Sequence, residues 1–272
     1  QMLVELGSEA QIVAKIETKV AIQPDVLREI VKASDGVMVA RGDLAVEAGA
    51  EVVPVVQRQI IELCRRYGKL SIVATQMMAS MVDAPEPTRA EVSDVATAVI
   101  LGADAVMLSD ETANGKFPIE TVAAMKKTIL YTQEHIPVAT FDSVLIDSIS
   151  RRNAISAAAV NIAEQLNVKA IVAETKSGAT AVSIAAFRPN LPIISVTSEI
   201  RTAQQLALSY ANKSFVHPDG EKAGYDVAKR LNDEAFFGDK DKTSVVIVSG
   251  LQPGVTGETD TIRVRVLGQK SL

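Results

Sequence analysis

The sequence predicts an α/β protein in two parts, a partial (β/α) barrel followed by an open three-layer α/β domain. Three observations predict it. Short apolar runs rich in Val, Ile and Ala alternate with longer segments of helical periodicity, the pattern of βα units on a parallel sheet. In the first half the runs recur about every thirty residues and each ends on polar groups, as in barrels that gather function at the carboxyl ends of their strands. In the second half the last run, "DTIRVRVL" (260–267), alternates with period two, as a strand does when one face is solvated.

The runs of the first half are "QIVAKIE" (11–17), "GVMVARGD" (36–43), "LSIVATQM" (70–77) and "DAVMLSDET" (104–112). Helices with start and stop signals lie between them. Pro24 opens "PDVLREIVKA", where Leu27, Ile30 and Val31 form one face. "VVQRQIIELCRRYG" closes on Gly68. "PTRAEVSDVATAVILG" has Thr88 and Glu91 at capping-box spacing and stops at Gly102. Pro118 opens "PIETVAAMKKTILYTQEH". Residues 138–150 show little periodicity and read as a linker, so the expected domains are 1–137 and 151–272. In the second domain a helix over 151–166 precedes strands "VKAIVAE", "LPIISVT", "KSFVH" and "TSVVIVSG", with helices near 178–187, 199–209 and 222–237.

Composition narrows the function classes. The net charge is 28 − 33 = −5, without the basic excess of a nucleic-acid binder. No apolar run approaches the length of a membrane span, and no signal peptide is apparent. The single cysteine, Cys64, has no internal disulfide partner and reads as a reduced, core or half-buried thiol, so a cytoplasmic location is expected. The chain starts at Gln1 and enters a strand-like segment almost at once, which reads either as a processed initiator or as a piece of something longer.

The chemistry-bearing residues sit at the strand ends. Lys15 and Glu17 are two apart on a strand and point to the same side. With Asp43 they make a lysine between two carboxylates, a set that suits a divalent metal and a phosphorylated substrate. Mg²⁺ takes hard oxygens, usually one or two carboxylates plus phosphate oxygens. Gly42 lets the backbone come close, so the amides around 42–43 can donate to an anion. Lys15 can neutralise charge that develops during transfer. Thr75, then Ser109 and Glu111, end the other two runs. An adhesion-type Arg-Gly-Asp, or merely solvated loop edges, would account for single positions but not for four compatible strand ends. Spacing alone leaves a Schiff-base aldolase using Lys15 and a metal-dependent enolate enzyme equally open.

The words "AKIE", "SDGVMVARGDLAVE", "ATQMMASM", "PEPTRAEVSDVATAV" and "DAVMLSDETANGKFP", in this order and spacing, resemble the pyruvate kinases. The resemblance is specific over 11–127 and looser to the end of the chain. It implies the second half of a (β/α)8 TIM barrel followed by a regulatory α/β domain. It also implies transfer of a phosphoryl group from phosphoenolpyruvate to ADP, giving pyruvate and ATP, with Mg²⁺ and commonly K⁺. Glu17 and Asp43 would hold Mg²⁺, and Lys15 would stabilise the phosphoryl group and the enolate. Gly42 and Asp43 amides with the Thr75 hydroxyl would hold the substrate carboxylate. Thr75 and Ser109 would lie near the route by which the enolate is protonated, and Arg41 would brace the metal-binding loop. The family's usual homotetramer is implied for the full-length form.

Departures from the family pattern accompany it. Asp110 replaces the Gly of the usual Ser-Gly-Glu-Thr, and Ala45 stands where Gly is usual. Only the last four barrel strands are present, and the K⁺ ligands belong to the missing half, so the expectation is a fragment with little turnover alone. "ETKSGATA" resembles the loop that grips a sugar-phosphate effector, through Thr175, Lys176, Ser177, Gly178 and Thr180; an ordinary capped βα turn is the equal alternative. "GLQPGVTGETDTIRV" resembles a second effector loop, with Gln252 where some members use a basic or aromatic group. His135 and His217 read as structural or solvated. The competing class is a non-catalytic, half-length protein that binds a phosphorylated metabolite through 151–272.

Overall fold

The computed structural model describes residues 5–138, 150–238, 243–250 and 259–267. The chain divides into two compact units, Gln1–Ser143 and Val144–Leu272.

The first unit alternates strands β1 (Val13–Ile16), β2 (Gly36–Ala40), β3 (Leu70–Ala74) and β4 (Ala105–Met107) with helices α1 (Pro24–Ala33), α2 (Arg41–Ala48), α3 (Val53–Tyr67), α4 (Arg89–Leu101), α5 (Asp110–Ala113) and α6 (Pro118–His135). The strands form one parallel sheet in sequential order, β1-β2-β3-β4. Val39 of β2 lies between Ile16 of β1 and Val73 of β3 in register. Sequential parallel pairing with a helix after each strand is the arrangement of a barrel wall. Ile16, Val37 and Val39 pack with Leu27, Ile60 and Cys64 from α1 and α3, and Val73 packs with Met77, Val95 and Met125 farther along. Cys64 is a fully buried core thiol.

The local signals act as sequence chemistry requires. Pro24 and Pro118 stand in the first turns of α1 and α6, where no amide donor is missed. Thr88 and Glu91 make both halves of the capping box. Gly68 and Gly102 end α3 and α4 with positive φ of 61° and 79°, a conformation that costs other residues a Cβ clash. Two helices were not expected. The run 36–43 leaves the sheet at Ala40, and Arg41, Gly42 and Asp43 open α2; likewise Asp110 and Glu111 open α5 rather than prolonging β4.

Carboxylates fasten the opposite, amino ends of the strands. Asp35 accepts the Ile12 N–H at 2.8 Å, and Asp104 accepts both the Ser71 N–H at 3.0 Å and its hydroxyl at 2.8 Å. Lys69 donates to the Ser34 carbonyl at 2.6 Å.

In the second unit, α7 (Arg151–Gln165) leads into β5 (Ala170–Glu174), α8 (Ala179–Ala186), β6 (Ile193–Thr197), α9 (Ile200–Gln205), β7 (Asn212–Val216), α10 (Ala223–Asp233), β8 (Ser244–Gly250) and β9 (Thr259–Val266). The sheet order is β7-β6-β5-β8-β9, parallel except for β9, which runs antiparallel to β8. The chain crosses from β7 back past β5 to reach β8, so the carboxyl ends of β5 and β8 flank a topological switch point. Val172, Ile194 and Ile247 pack against Val227 and Leu231 of α10. Among the described residues no helix is long and apolar enough to cross a membrane. His135 caps its own helix against the Tyr131 carbonyl and stacks on the Tyr131 ring, while His217 sits against the Pro218 carbonyl. Most of the linker and the loop with Gln252 lie outside the described residues.

Candidate active site

All the candidate groups of the first unit come from the carboxyl ends of its strands. Lys15 is on β1 and Glu17 follows it; the Lys15 Nζ is 2.9 Å from Glu17 Oε2 and 4.0 Å from Asp43 Oδ2, in the first turn of α2. The three side chains are partly exposed, so their pairing contributes little to stability. The close contact with Glu17, and more weakly the charge of Asp43, hold the Lys15 ammonium above its ordinary value against a small opposing effect of burial. Lys15 is therefore a persistent cation, fit to meet negative charge rather than to act as a free amine nucleophile.

Glu17 Oε2 is shut off from solvent and has no aligned hydrogen-bond donor among the described residues; Lys15 meets it as a charge contact. A carboxylate oxygen in that state is costly unless a cation faces it. Glu17 and Asp43 thus offer the hard oxygen pair that a small divalent ion takes. Among the described residues no group of three or more His, Cys, Asp or Glu converges as a metal site. This pair suits an ion that completes its shell from substrate and water.

Thr75 closes the next strand in a left-handed conformation, φ 68°, and Gln76 follows at 53°. Two such residues in a row are strained for side chains of this kind. Arg41 holds them there. Its guanidinium donates to the Ala74 carbonyl at 3.1 Å and the Thr75 carbonyl at 2.5 Å, and pairs with Asp94 of α4 at 2.6 Å. The expected bracing role of Arg41 is therefore directed at the β3 loop. Asp94 was missed by sequence reading; the available signal was a carboxylate on the α4 face shared with buried Val95 and Ala98.

The Thr75 hydroxyl accepts the Gly42 N–H at 3.0 Å and donates to the Ala74 carbonyl at 2.7 Å. The amide and hydroxyl expected to bind a carboxylate are thus together, the amide donating to the hydroxyl and the hydroxyl to the Ala74 carbonyl. Gly42 has no steric reason of its own to be glycine: an added Cβ would meet only Thr75 Oγ1, at 3.7 Å.

Ser109, two residues past β4, donates its N–H to Glu111 Oε2 at 2.7 Å, while Oε1 accepts the Met78 N–H at 3.1 Å. Glu111 is 2% exposed, a buried carboxylate that ties the β4 loop to the β3 loop. Asp110 is exposed and meets Asn114 Nδ2 at 3.5 Å. Ala45 lies inside α2, where alanine favours the helix over glycine by about 1 kcal/mol.

The loop after β5 in the second unit is already engaged. Thr180 is buried, its hydroxyl 2.7 Å from that of Thr259. The Thr175 N–H donates to the Val196 carbonyl at 2.9 Å. Lys176 faces Glu199 at 3.8 Å and Asp219 at 4.0 Å. Gly178 turns into α8 with φ 83°, and Ser177 is exposed.

Known proteins resemble the chain in both units. The family model "Pyruvate kinase, barrel domain" matches residues 1–122, and "Pyruvate kinase, alpha/beta domain" matches 153–265. Pyruvate kinase 2 of Synechocystis is 42% identical over 270 residues, 98% of this chain and 44% of the relative. Pyruvate kinase of Thermotoga maritima is 40% identical over 261 residues, 95% of this chain and 54% of the relative. A crystal structure of a pyruvate kinase from Cryptosporidium parvum superposes with a TM-score of 0.86 at 31% identity, covering 95% of this chain and 52% of that one. The chain spans about half the length of the curated relatives it matches. With both family models matched and relatives at about 40% identity, the chain belongs to the pyruvate kinase family.

Proposed function

We propose that this chain supplies the phosphoenolpyruvate end of the pyruvate kinase reaction, in which a phosphoryl group passes to ADP and pyruvate is released. The observation that carries the reading is the Lys15 ammonium held between Glu17 and Asp43 beside the joined Gly42 N–H and Thr75 hydroxyl. Glu17 and Asp43 would hold Mg²⁺, which when bound supplies positive charge to the carboxylate and phosphoryl oxygens of the substrate. Lys15 faces the same oxygens and offsets charge as it moves onto the enolate; phosphoryl transfer needs positioning and charge stabilisation above all. Gly42 N–H would turn from the Thr75 hydroxyl, and that hydroxyl from the Ala74 carbonyl, to the substrate carboxylate. Thr75 and Ser109 flank the carbon that takes up a proton. The family also uses K⁺ generally, and none of the residues above is assigned to it or to ADP.

Four barrel strands present part of such a site, so the isolated chain is expected to bind phosphoenolpyruvate weakly and turn over little. Calorimetric titration with phosphoenolpyruvate tests the reading. Heat that requires Mg²⁺ and is lost in Lys15→Ala and Glu17→Gln supports it; Mg²⁺-independent heat, or heat unchanged in both variants, argues against it.

A sugar-phosphate effector at Thr175–Thr180 is the second reading. Lys176 would have to leave Glu199 and Asp219, and Thr180 would have to leave Thr259, before either met a phosphate.

A further inference from the structure

We propose that Asn114 is a self-modification site: the Gly115 amide nitrogen attacks the Asn114 side chain, and a neutral carboxamide becomes a carboxylate in the loop that follows β4. Asn114-Gly115 is the one Asn-Gly pair in the sequence. Glycine in second place favours the reaction, because no Cβ obstructs the approach of its nitrogen to the asparagine Cγ. Asn114 is exposed. Among the described residues its side-chain nitrogen has one partner, Asp110 Oδ1, at 3.5 Å, too long to hold it firmly.

The fold keeps the glycine in place. A Cβ at Gly115 would lie 2.4 Å from the Glu111 carbonyl oxygen and 3.0 Å from its carbonyl carbon. Those are backbone atoms of α5, so no side chain can turn aside to admit it. Glu111 is itself fixed, as the buried carboxylate that joins the β3 and β4 loops. Packing therefore demands glycine at 115, and asparagine before it makes the pair labile.

One bond restrains the nucleophile. The Gly115 N–H donates to the Asp110 carbonyl at 2.8 Å, and the Asn114 N–H donates to the same oxygen at 2.9 Å. α5 is a single turn, and Thr112, Ala113 and Asn114 on it and after it are exposed. A lone turn has too few bonds to be stable by itself, so its last amides open more readily than the whole unit unfolds. Fraying of that turn frees the Gly115 nitrogen.

The step balances without an oxidant, metal or enzyme. Gly115 N bonds to Asn114 Cγ, the Cγ–Nδ2 bond breaks, and Nδ2 leaves as ammonia with the proton from the Gly115 amide. Water then opens the cyclic imide at either carbonyl, giving aspartate or isoaspartate. Both products set a new carboxylate near Asp110. Isoaspartate also carries the main chain through the side chain, one carbon longer. The next amide, Lys116 N–H, donates to the Val82 carbonyl at 2.8 Å, at the end of the turn Ala79–Val82 that follows the β3 loop. The longer backbone loosens that bond, and with it the tie between the two loops.

The test ages the full chain at pH ~8, folded and in parallel unfolded in urea. Peptide mass spectrometry follows the gain of about one dalton at Asn114. The folded chain is expected to convert Asn114 ahead of every other asparagine, no more than ~100-fold slower than the unfolded chain, because only the turn must open. Asn114→Gln, which would need a larger ring, is expected to resist. Amide exchange at Lys116 is expected to be faster in the converted protein than in the fresh one. Conversion slowed by more than ~100-fold, a mass gain as fast in Asn114→Gln, or Lys116 exchange unchanged after conversion would each overturn the proposal. The wild-type peptide map decides even if Asn114→Gln does not fold.

Discussion

Arg41 and Asp94, 53 residues apart, meet at 2.6 Å, and the arginine side chain, 11% exposed, also donates to the carbonyls of Ala74 and Thr75 and to the Met77 sulfur. The pair is what keeps the β3 loop in its strained conformation. Arg41→Ala is expected to cost about 1–3 kcal/mol, because it strands Asp94 and two carbonyls, discounted for the partial exposure of Asp94. Urea unfolding of the chain measures it. Arg41→Lys should recover less than half, since an ammonium cannot reproduce the guanidinium fork; full recovery would count against the bracing role.

Glu111 serves two backbone donors from two loops with two oxygens. Glu111→Gln places an NH₂ against one of those N–H groups and is expected to destabilise by about 1–3 kcal/mol. An unfolding midpoint within error of wild type would show that Ser109 and Met78 are held by something else.

Gly42→Ala separates folding from binding. The site is inside α2, off the positive-φ region, with room for a methyl group. Stability is expected to stay level or rise by about 0.5–1 kcal/mol. If glycine is there for a ligand to approach the backbone, Mg²⁺-dependent phosphoenolpyruvate binding falls at least ~10-fold in the same variant. Thermal melting and calorimetry on one preparation give both answers.

Glu91 carries the acid dependence of the β3–α4 junction. Burial pushes its carboxyl up, but donors from Ser80 and Thr88 prevail and hold it below the ordinary value of 4.5. Its contribution is therefore complete above that value and disappears as pH falls through the lower, folded-state value. Glu91→Gln is expected to lose about 1 kcal/mol at neutral pH and to flatten the acid limb of the stability curve. An unchanged acid limb would assign it to other carboxylates.

Strand positions were legible because an apolar run bounded by helix signals leaves little choice, and every run produced a strand within a few residues. The start of α2 was not legible. Arg41-Gly42-Asp43 directly follows an apolar run in sequence, and the bonds that Arg41 and Gly42 make there reach the β3 loop more than thirty residues away. Lys15, Glu17 and Asp43 could be placed together because the first two lie two apart at the end of β1 and the third follows the end of the neighbouring strand, in the first turn of α2. The partner of Thr180 was not legible, for the opposite reason. A helix-start hydroxyl looks available for an anion, and its buried partner, Thr259, lies 79 residues away, where spacing gives no hint of it.

The strand ends divide labour in a way that matters for redesign. Asp35, Asp104 and Lys69 fix the register of the sheet from its amino edge, with no part in the cluster at the carboxyl edge. A library that varies 42–43, 75–76 and 109–110, and spares Arg41, Met77 and Glu111, would therefore leave those amino-edge bonds intact while changing the groups at the carboxyl edge. Changing Asp35 or Asp104 would loosen the alignment of neighbouring strands, and with it the placing of the groups at their far ends, without touching any of those groups.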